Sequence, residues 1–261
     1  MADEVLFERR GAGLWATLNR PDALNAISPG VIAGLDRALD AAERDPEVRA
    51  VVITGTGRAF CAGADLKYLR SSTDADATGI GGFIDDFLAL LNRIEGFRRP
   101  VIAAVNGLAL AGGLEIVLTC DLVVAAASAK FGDAHANFGL LPGGGGSVRL
   151  PRKIGPTRAK QMLYTAEFLP AATLAQWGLV NEVAPDGGLA AAADALVAKM
   201  ADKSPLVLAR MKALVDDGLE QPRDVALRNE AAMIALHAHS HDMREGLAAF
   251  EAKRKPVFTG R

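Results

Sequence analysis

Apolar positions recur along this chain first in short strand-like runs, then in alternating strand and helix patterns, and from about Leu189 at helical spacing alone. Near the start, VLFERR and LWATLNR flank GAG, which predicts a β-hairpin. SPGVIAGLDRALDAAERDP then offers a Ser N-cap, Pro at the first helical position, and Ile32, Leu35 and Leu39 on one helical face before Pro46 ends it. RAVVITGTG is a continuous β-branched run closed by glycines, the pattern of a buried strand. From Ser71 to Gly82 the polar, glycine-containing sequence reads as a mobile loop. Beyond it, FIDDFLALLNRIEGF predicts an amphipathic helix, PVIAAVNG a buried strand, GGLEIVLTC a short helix and DLVVAAAS a further strand. Such alternation predicts an α/β fold with right-handed crossovers. Four helical stretches follow, ending in the charged DMREGLAAFEAKRKP, so residues 1–188 read as an α/β core and 189–261 as a helical subdomain. Such a helical part makes only a thin core by itself, which packing between subunits would complete.

Composition narrows the function classes. The 261 residues are 50% apolar and 23% charged, as in an ordinary globular protein, and carry a formal net charge of -2. That balance gives no electrostatic footprint for nucleic acid or an anionic membrane. The N-terminus lacks the pattern of a secretory signal, and no apolar run is long enough to span a bilayer. Cys61 and Cys120 are far apart and outside any C-x-x-C pattern, which points away from a disulfide framework or zinc site and fits a reduced cytosol. Cys61 reads as a small packing residue.

The chemistry turns on FGDAHANFGLLPGGGGSVRL, where His135 precedes four consecutive glycines. A phosphate-binding Walker loop would need a Lys after its last glycine, and a dinucleotide fingerprint would need G-x-G-x-x-G beside the first strand; neither is present. Two other segments are more informative together. AFCAGADLKYL follows a strand and is built of small residues, and NGLALAGGLEIVLTCDL puts a Gly-Gly step at the start of a helix. Free N–H groups there, one from each segment, would make an oxyanion hole. Glu115 lies three residues after Gly112, either as a carboxylate favoured by the helix dipole or as an acid/base group beside whatever that N–H polarises.

AFCAGADL, PVIAAVNGLALAGGLEIVLTCDLVVAA, FG with GLLPGGGGSVRLPRKIG, and QWGLVNEV, with LNRPDALNAIS before and DMREGLAAFEAKRKPVF after, resemble the enoyl-CoA hydratase/isomerase (crotonase) family over essentially the whole chain. The resemblance implies a crotonase-like spiral of ββα units with a C-terminal helical trimerisation region, assembled as a homotrimer or a hexamer formed by a dimer of trimers. It implies an acyl-CoA thioester substrate, no cofactor beyond the coenzyme A of that substrate, and Ala64 and Gly112 as the two donors to the thioester oxygen. Asp22, Ala23, Leu24, Ala62, Asp65, Leu66 and Gly143 would line the substrate track, and Lys253 would meet a CoA phosphate, often from a neighbouring subunit.

Hydratases of that family use two glutamates; the first matches Glu115, and the second falls on His135. Such an imidazole would pair with Glu115 as acid and base at neutral pH, activate water for a hydrolysis, or stand by while Glu115 alone moves a double bond. It would equally serve as a hydrogen-bonding residue of the pocket wall. Asp133 would face as His135 does and orient it or take the place of the missing carboxylate, or stand as a solvated turn residue. A protein that binds acyl-CoA without turning it over is the reading from another class, and Glu115 counts against it. The remaining histidines, His237, His239 and His241, read as a polar helix or subunit contact; His237 and His241, four apart on a helix, lack a third metal ligand.

Overall fold

The structure is a computed structural model that describes residues 3–73 and 78–261. Its first elements are β1 (Val5–Arg10), β2 (Gly13–Leu18), α1 (Pro29–Arg44), β3 (Ala50–Gly55), β4 (Ala59–Cys61), α2 (Leu66–Thr73) and α3 (Thr78–Glu95). β5 (Val101–Val105), β6 (Leu108–Leu110), α4 (Gly112–Thr119), β7 (Leu122–Ala126), β8 (Lys130–Gly132), α5 (Gly146–Ile154) and α6 (Pro156–Thr165) come next. The chain closes with β9 (Leu169–Pro170), α7 (Ala171–Gln176), β10 (Glu182–Ala184), α8 (Leu189–Ala198), α9 (Pro205–Leu219), α10 (Arg223–His237) and α11 (His241–Glu251).

The expected hairpin forms, with Val5 opposite Leu18 and a turn in which Gly11 takes φ +55. Ser28 caps α1, its Oγ accepting from the Val31 N–H at 3.1 Å. Among the described residues the strands build a larger sheet in the order β1-β2-β3-β5-β7-β10 and a smaller one in the order β4-β6-β8-β9. From β2 to β10 the larger sheet is parallel. Each of the pairs β3/β4, β5/β6 and β7/β8 gives its first strand to the larger sheet and its second to the smaller before a helix follows, which is the ββα spiral.

β3 explains why the β-branched runs carry no alternation. Val51 and Ile53 enter the main core with α1, α3 and α4, while Ala50 and Val52 join Trp15, Ile102 and Val124 on the opposite face. That second face is covered by α8 through Ala193 and Val197. Both faces are buried, so both must be apolar.

Three features differ from the expectations. The smaller sheet is absent from the sequence reading, because its strands are two or three residues long and show no readable period. Where a loop is expected from Ser71 to Gly82, α2 continues to Thr73 and α3 begins at Thr78; residues 74–77 lie outside the described residues. His237 closes α10 and His241 opens α11, so the two do not share a helical face. His237 instead meets Arg210 at 2.6 Å, and among the described residues no cluster of three or more His, Cys, Asp or Glu is placed to hold a metal.

The helices after residue 188 behave differently from one another. α8 belongs to the sheet packing, whereas α9 and α10 bury no residue completely and leave Leu219, Leu227, Ile234 and Leu236 exposed. α9 is tied to the core by Lys212, whose ammonium lies 2.9 Å from the Asp121 carboxylate at the start of β7.

Candidate active site

The carboxyl ends of β3, β5 and β7 lead into the connections that carry AFCAGAD, NGLALAGG and FGDAH, so the parallel sheet gathers all three at one pole. There the first two segments meet backbone to backbone. A Cβ on Gly113 would fall 2.1 Å from the Cys61 carbonyl oxygen, and one on Gly63, at φ +101, would fall 3.3 Å from the Gly112 nitrogen. Only glycine allows this approach. Ala111, which leads into α4, sits at φ 47 and ψ -119, a conformation that L residues seldom adopt and that the Ala111 N–H bond to Gly132 holds in place at 3.0 Å.

Ala64 is held in a parallel bridge to Ile27, with the Ile27 N–H donating to Gly63 at 2.8 Å and the Asp65 N–H donating to Ile27 at 2.9 Å. In that register the N–H of Ala64 itself points away from Ile27. Gly112 is the first residue of α4, where an N–H has no partner within the helix. Among the described residues neither of these N–H groups is engaged in a hydrogen bond.

Glu115 stands one turn into α4 and is only 2% exposed. Its side-chain hydrogen bonds do not go to the N-terminus of its own helix. Its Oε1 accepts instead from the N–H of Gly144 at 2.8 Å and of Gly146 at 2.9 Å. The glycine run therefore does cradle an anion, but the anion is the protein's own carboxylate. A Cβ on Gly144 would lie 2.6 Å from Glu115 Oε2 and against Leu91 and Phe87, and Gly145 takes φ +90 to turn the next N–H inward. Gly146 opens α5, so the helix dipole adds to the two bonds. Burial pushes the Glu115 carboxyl up; the N–H groups and the charge of His135 pull it back, and it ends above the usual carboxylate range.

His135 follows a tight turn in which Ala134 is left-handed, at φ 58, and its own N–H donates to the Asp133 carbonyl at 2.8 Å. The same turn brings the imidazole Nδ1 to 3.0 Å from Asp133 Oδ1. Asp133 is 2% exposed and is a buried partner rather than a solvated turn residue. With a carboxylate accepting at Nδ1, the other ring nitrogen is left for the site. Burial acts to lower the His135 value, but the bond and charge of Asp133 and the charge of Glu115 outweigh it, and the imidazole ends above its ordinary value.

The residues expected on the substrate track divide. Asp22 and Ala23 sit on an exposed 3-10 turn, and the Leu24 carbonyl accepts from the Ala62 N–H at 3.0 Å, which joins the two stretches. Leu66 is 50% exposed beside them. The Asp65 carboxylate is already engaged, by the Arg20 guanidinium at 2.8 Å and by the N–H groups of Lys67 and Tyr68 at the start of α2. Gly143 packs against Ile84 of α3. Lys253 lies after α11, exposed and at φ +52, and among the described residues no hydrogen bond or ion pair ties it to the others.

Sequence reasoning passes over Ala111, Arg20 and Arg149. Ala111 gave no signal, because nothing in its side chain announces a positive φ. Arg20 and Arg149 are legible only as polar residues within motifs. Cys61 is fully buried and its thiol is pushed up to about 12 by desolvation, so it is a packing residue and no nucleophile.

A family model described as enoyl-CoA hydratase/isomerase matches residues 10–261. The crotonyl-CoA hydratase of Syntrophomonas wolfei is 37% identical over 257 residues, covering 98% of each chain. The 2,3-dehydroadipyl-CoA hydratase of Escherichia coli is 38% identical over 258 residues, covering 99% of each. The crystal structure of an enoyl-CoA hydratase from Bacillus anthracis superposes with a TM-score of 0.92 at 32% identity, over 99% of this chain and 100% of that one.

Proposed function

Since this chain belongs to the enoyl-CoA hydratase/isomerase family, we propose that it adds water across the Cα=Cβ bond of a 2-enoyl-CoA, as a hydro-lyase. The observation that carries the reading is the buried Glu115 carboxylate, one turn beyond the unengaged Gly112 N–H, held by the Gly144 and Gly146 N–H groups and under the charge of His135, which Asp133 supports.

The thioester oxygen lies between the N–H groups of Ala64 and Gly112. Attack at Cβ moves an electron pair through the double bond onto that oxygen, and each preorganised donor stabilises the resulting enolate by on the order of 3 kcal/mol. Glu115 takes a proton from water as its oxygen bonds to Cβ. The His135 imidazolium then gives a proton to Cα as the enolate collapses, and transfer of a proton from Glu115 to His135 restores the starting state. An imidazolium paired with the Asp133 carboxylate carries no net charge, as a neutral carboxylic acid does. The departure from the two-glutamate pattern therefore conserves the charge of the site.

Asp22, Ala23, Leu24, Ala62 and Leu66 line the CoA track in this reading, Asp65 shapes it through Arg20, and Lys253 reaches a CoA phosphate from a neighbouring subunit. Apolar side chains left exposed on α9 to α11, among them Leu219, Leu247 and Phe250, support a homotrimer or a dimer of trimers. A cytosolic location is in keeping with two unpaired, buried cysteines. Isomerisation by Glu115 alone would leave the buried Asp133–His135 pair without a task, and a non-catalytic binder has no use for a buried carboxylate.

Hydration of crotonyl-CoA, followed by the loss of enoyl absorbance, tests the proposal. Absence of turnover together with measurable binding of CoA would overturn it for this substrate.

A further inference from the structure

We propose that Arg149 is a positioning residue for Glu115, acting through the glycine turn; the consequence for turnover rests on the hydratase reading, but the arrangement itself does not. The Arg149 side chain is 11% exposed, on the first turn of α5. Its NH1 donates to the Gly144 carbonyl at 2.8 Å. Its other nitrogens are fixed on α3, with NH2 donating to Asn92 Oδ1 at 2.7 Å and to Glu95 Oε2 at 2.7 Å, and Nε bridging both Glu95 oxygens at 3.1 Å.

The Gly144 carbonyl belongs to the peptide unit that leads into Gly145. Pinning that unit sets the left-handed turn at Gly145 and so the direction of the Gly146 N–H, one of the two donors on Glu115 Oε1. Four glycines in a row have wide conformational freedom of their own. A forked cation anchored on a separate helix supplies the restraint they lack, and the planar guanidinium can hold the carbonyl and the carboxylate at once. With Oε1 held from the backbone, Oε2 is the oxygen left to exchange a proton.

The test reads Glu115 directly. In protein carrying carbon-13 at glutamate Cδ, the Glu115 resonance is assigned by its absence in Glu115→Gln, and its titration is followed without substrate. In Arg149→Met the Gly146 N–H is no longer directed at the carboxylate, which loses anion stabilisation, so the midpoint moves to higher pH. Turnover of crotonyl-CoA falls about 10–100-fold with KM changed by no more than about twofold. Arg149→Lys, which keeps a cation near the carbonyl but not the fork, gives a smaller shift.

A lowered Tm with an unmoved Glu115 midpoint would show that Arg149 only joins α3 to α5, and would overturn the proposal. If Arg149→Met does not fold, the Arg149→Lys midpoint decides alone, and an unmoved value overturns it. Because the titration needs no turnover, a failed hydratase assay leaves this result standing.

Discussion

Nδ1 of His135 lies 3.0 Å from Oδ1 of Asp133, and Asp133 is sealed from solvent. Two residues in one tight turn thus form a dyad in which the carboxylate selects the tautomer and supports the imidazolium. Asp133→Asn keeps the shape and removes the charge. We expect kcat for crotonyl-CoA hydration to fall on the order of 10²-fold. The limb of the pH profile that belongs to His135 should move to lower pH, because the Asp133 bond and charge, ahead of the charge of Glu115, raise the imidazole. A variant with the profile and rate of wild type would refute the role given to Asp133.

Glu115→Gln separates chemistry from architecture. The amide oxygen can still accept from the Gly144 and Gly146 N–H groups, so the glycine turn has no reason to open. Turnover should drop by roughly 10²–10⁴-fold while Tm stays close to wild type. Parallel rate and melting measurements check both halves, and a large loss of Tm would mean that the negative charge is also needed to hold the turn.

Stability should depend on pH in a stated direction. The folded state raises the His135 value above the ordinary 6.5, so its contribution is complete below that pH and is lost as the pH rises through the folded value. Glu115 is raised as well, from 4.5, and contributes in the same sense, its share being lost as the pH rises from 4.5 through its own folded value. In urea melts across the range, the stability difference between wild type and His135→Gln should therefore tilt against wild type as the pH climbs above 6.5. A difference that stays flat would contradict the raised value.

Glycine positions can be sorted by what surrounds them. Gly113→Ala places a methyl group 2.1 Å from the Cys61 carbonyl oxygen, a backbone atom that cannot rotate away. The expected loss is at least about 1–3 kcal/mol, with the Ala64 and Gly112 N–H groups displaced from each other. Gly82→Ala, in α3 with nothing within 4 Å, should be neutral or stabilising by up to about 1 kcal/mol. Denaturation midpoints for the two variants should fall on opposite sides of wild type or nearly so.

Cys61 and Cys120 are buried, and burial raises both thiols, Cys61 to about 12. Native protein at pH 8 should therefore react slowly with a disulfide reagent such as dithiobis-nitrobenzoate, and both thiols should react at once in denaturant. Rapid modification of the folded protein would contradict the packing role.

The order of strands and helices is legible in the chain because each long element must bury a face, and burial imposes a period that residues display locally. The N-cap at Ser28, the doubly buried β3 and the four helices α8 to α11 are read in this way. Motif order likewise marks Ala64, Gly112, Glu115 and His135 as the residues to watch. Only the tertiary structure decides what the glycines of 143–146 hold, because their ligand, Glu115, is 29 and 31 residues from the two N–H donors. It alone shows Asp65 committed to Arg20, the second sheet built from strands too short to have a period, and Ala111 in a conformation foreign to its side chain. Local pattern reports what each segment must bury. The site depends on which backbone groups remain unpaired after the segments have packed, and that is a property of the whole fold.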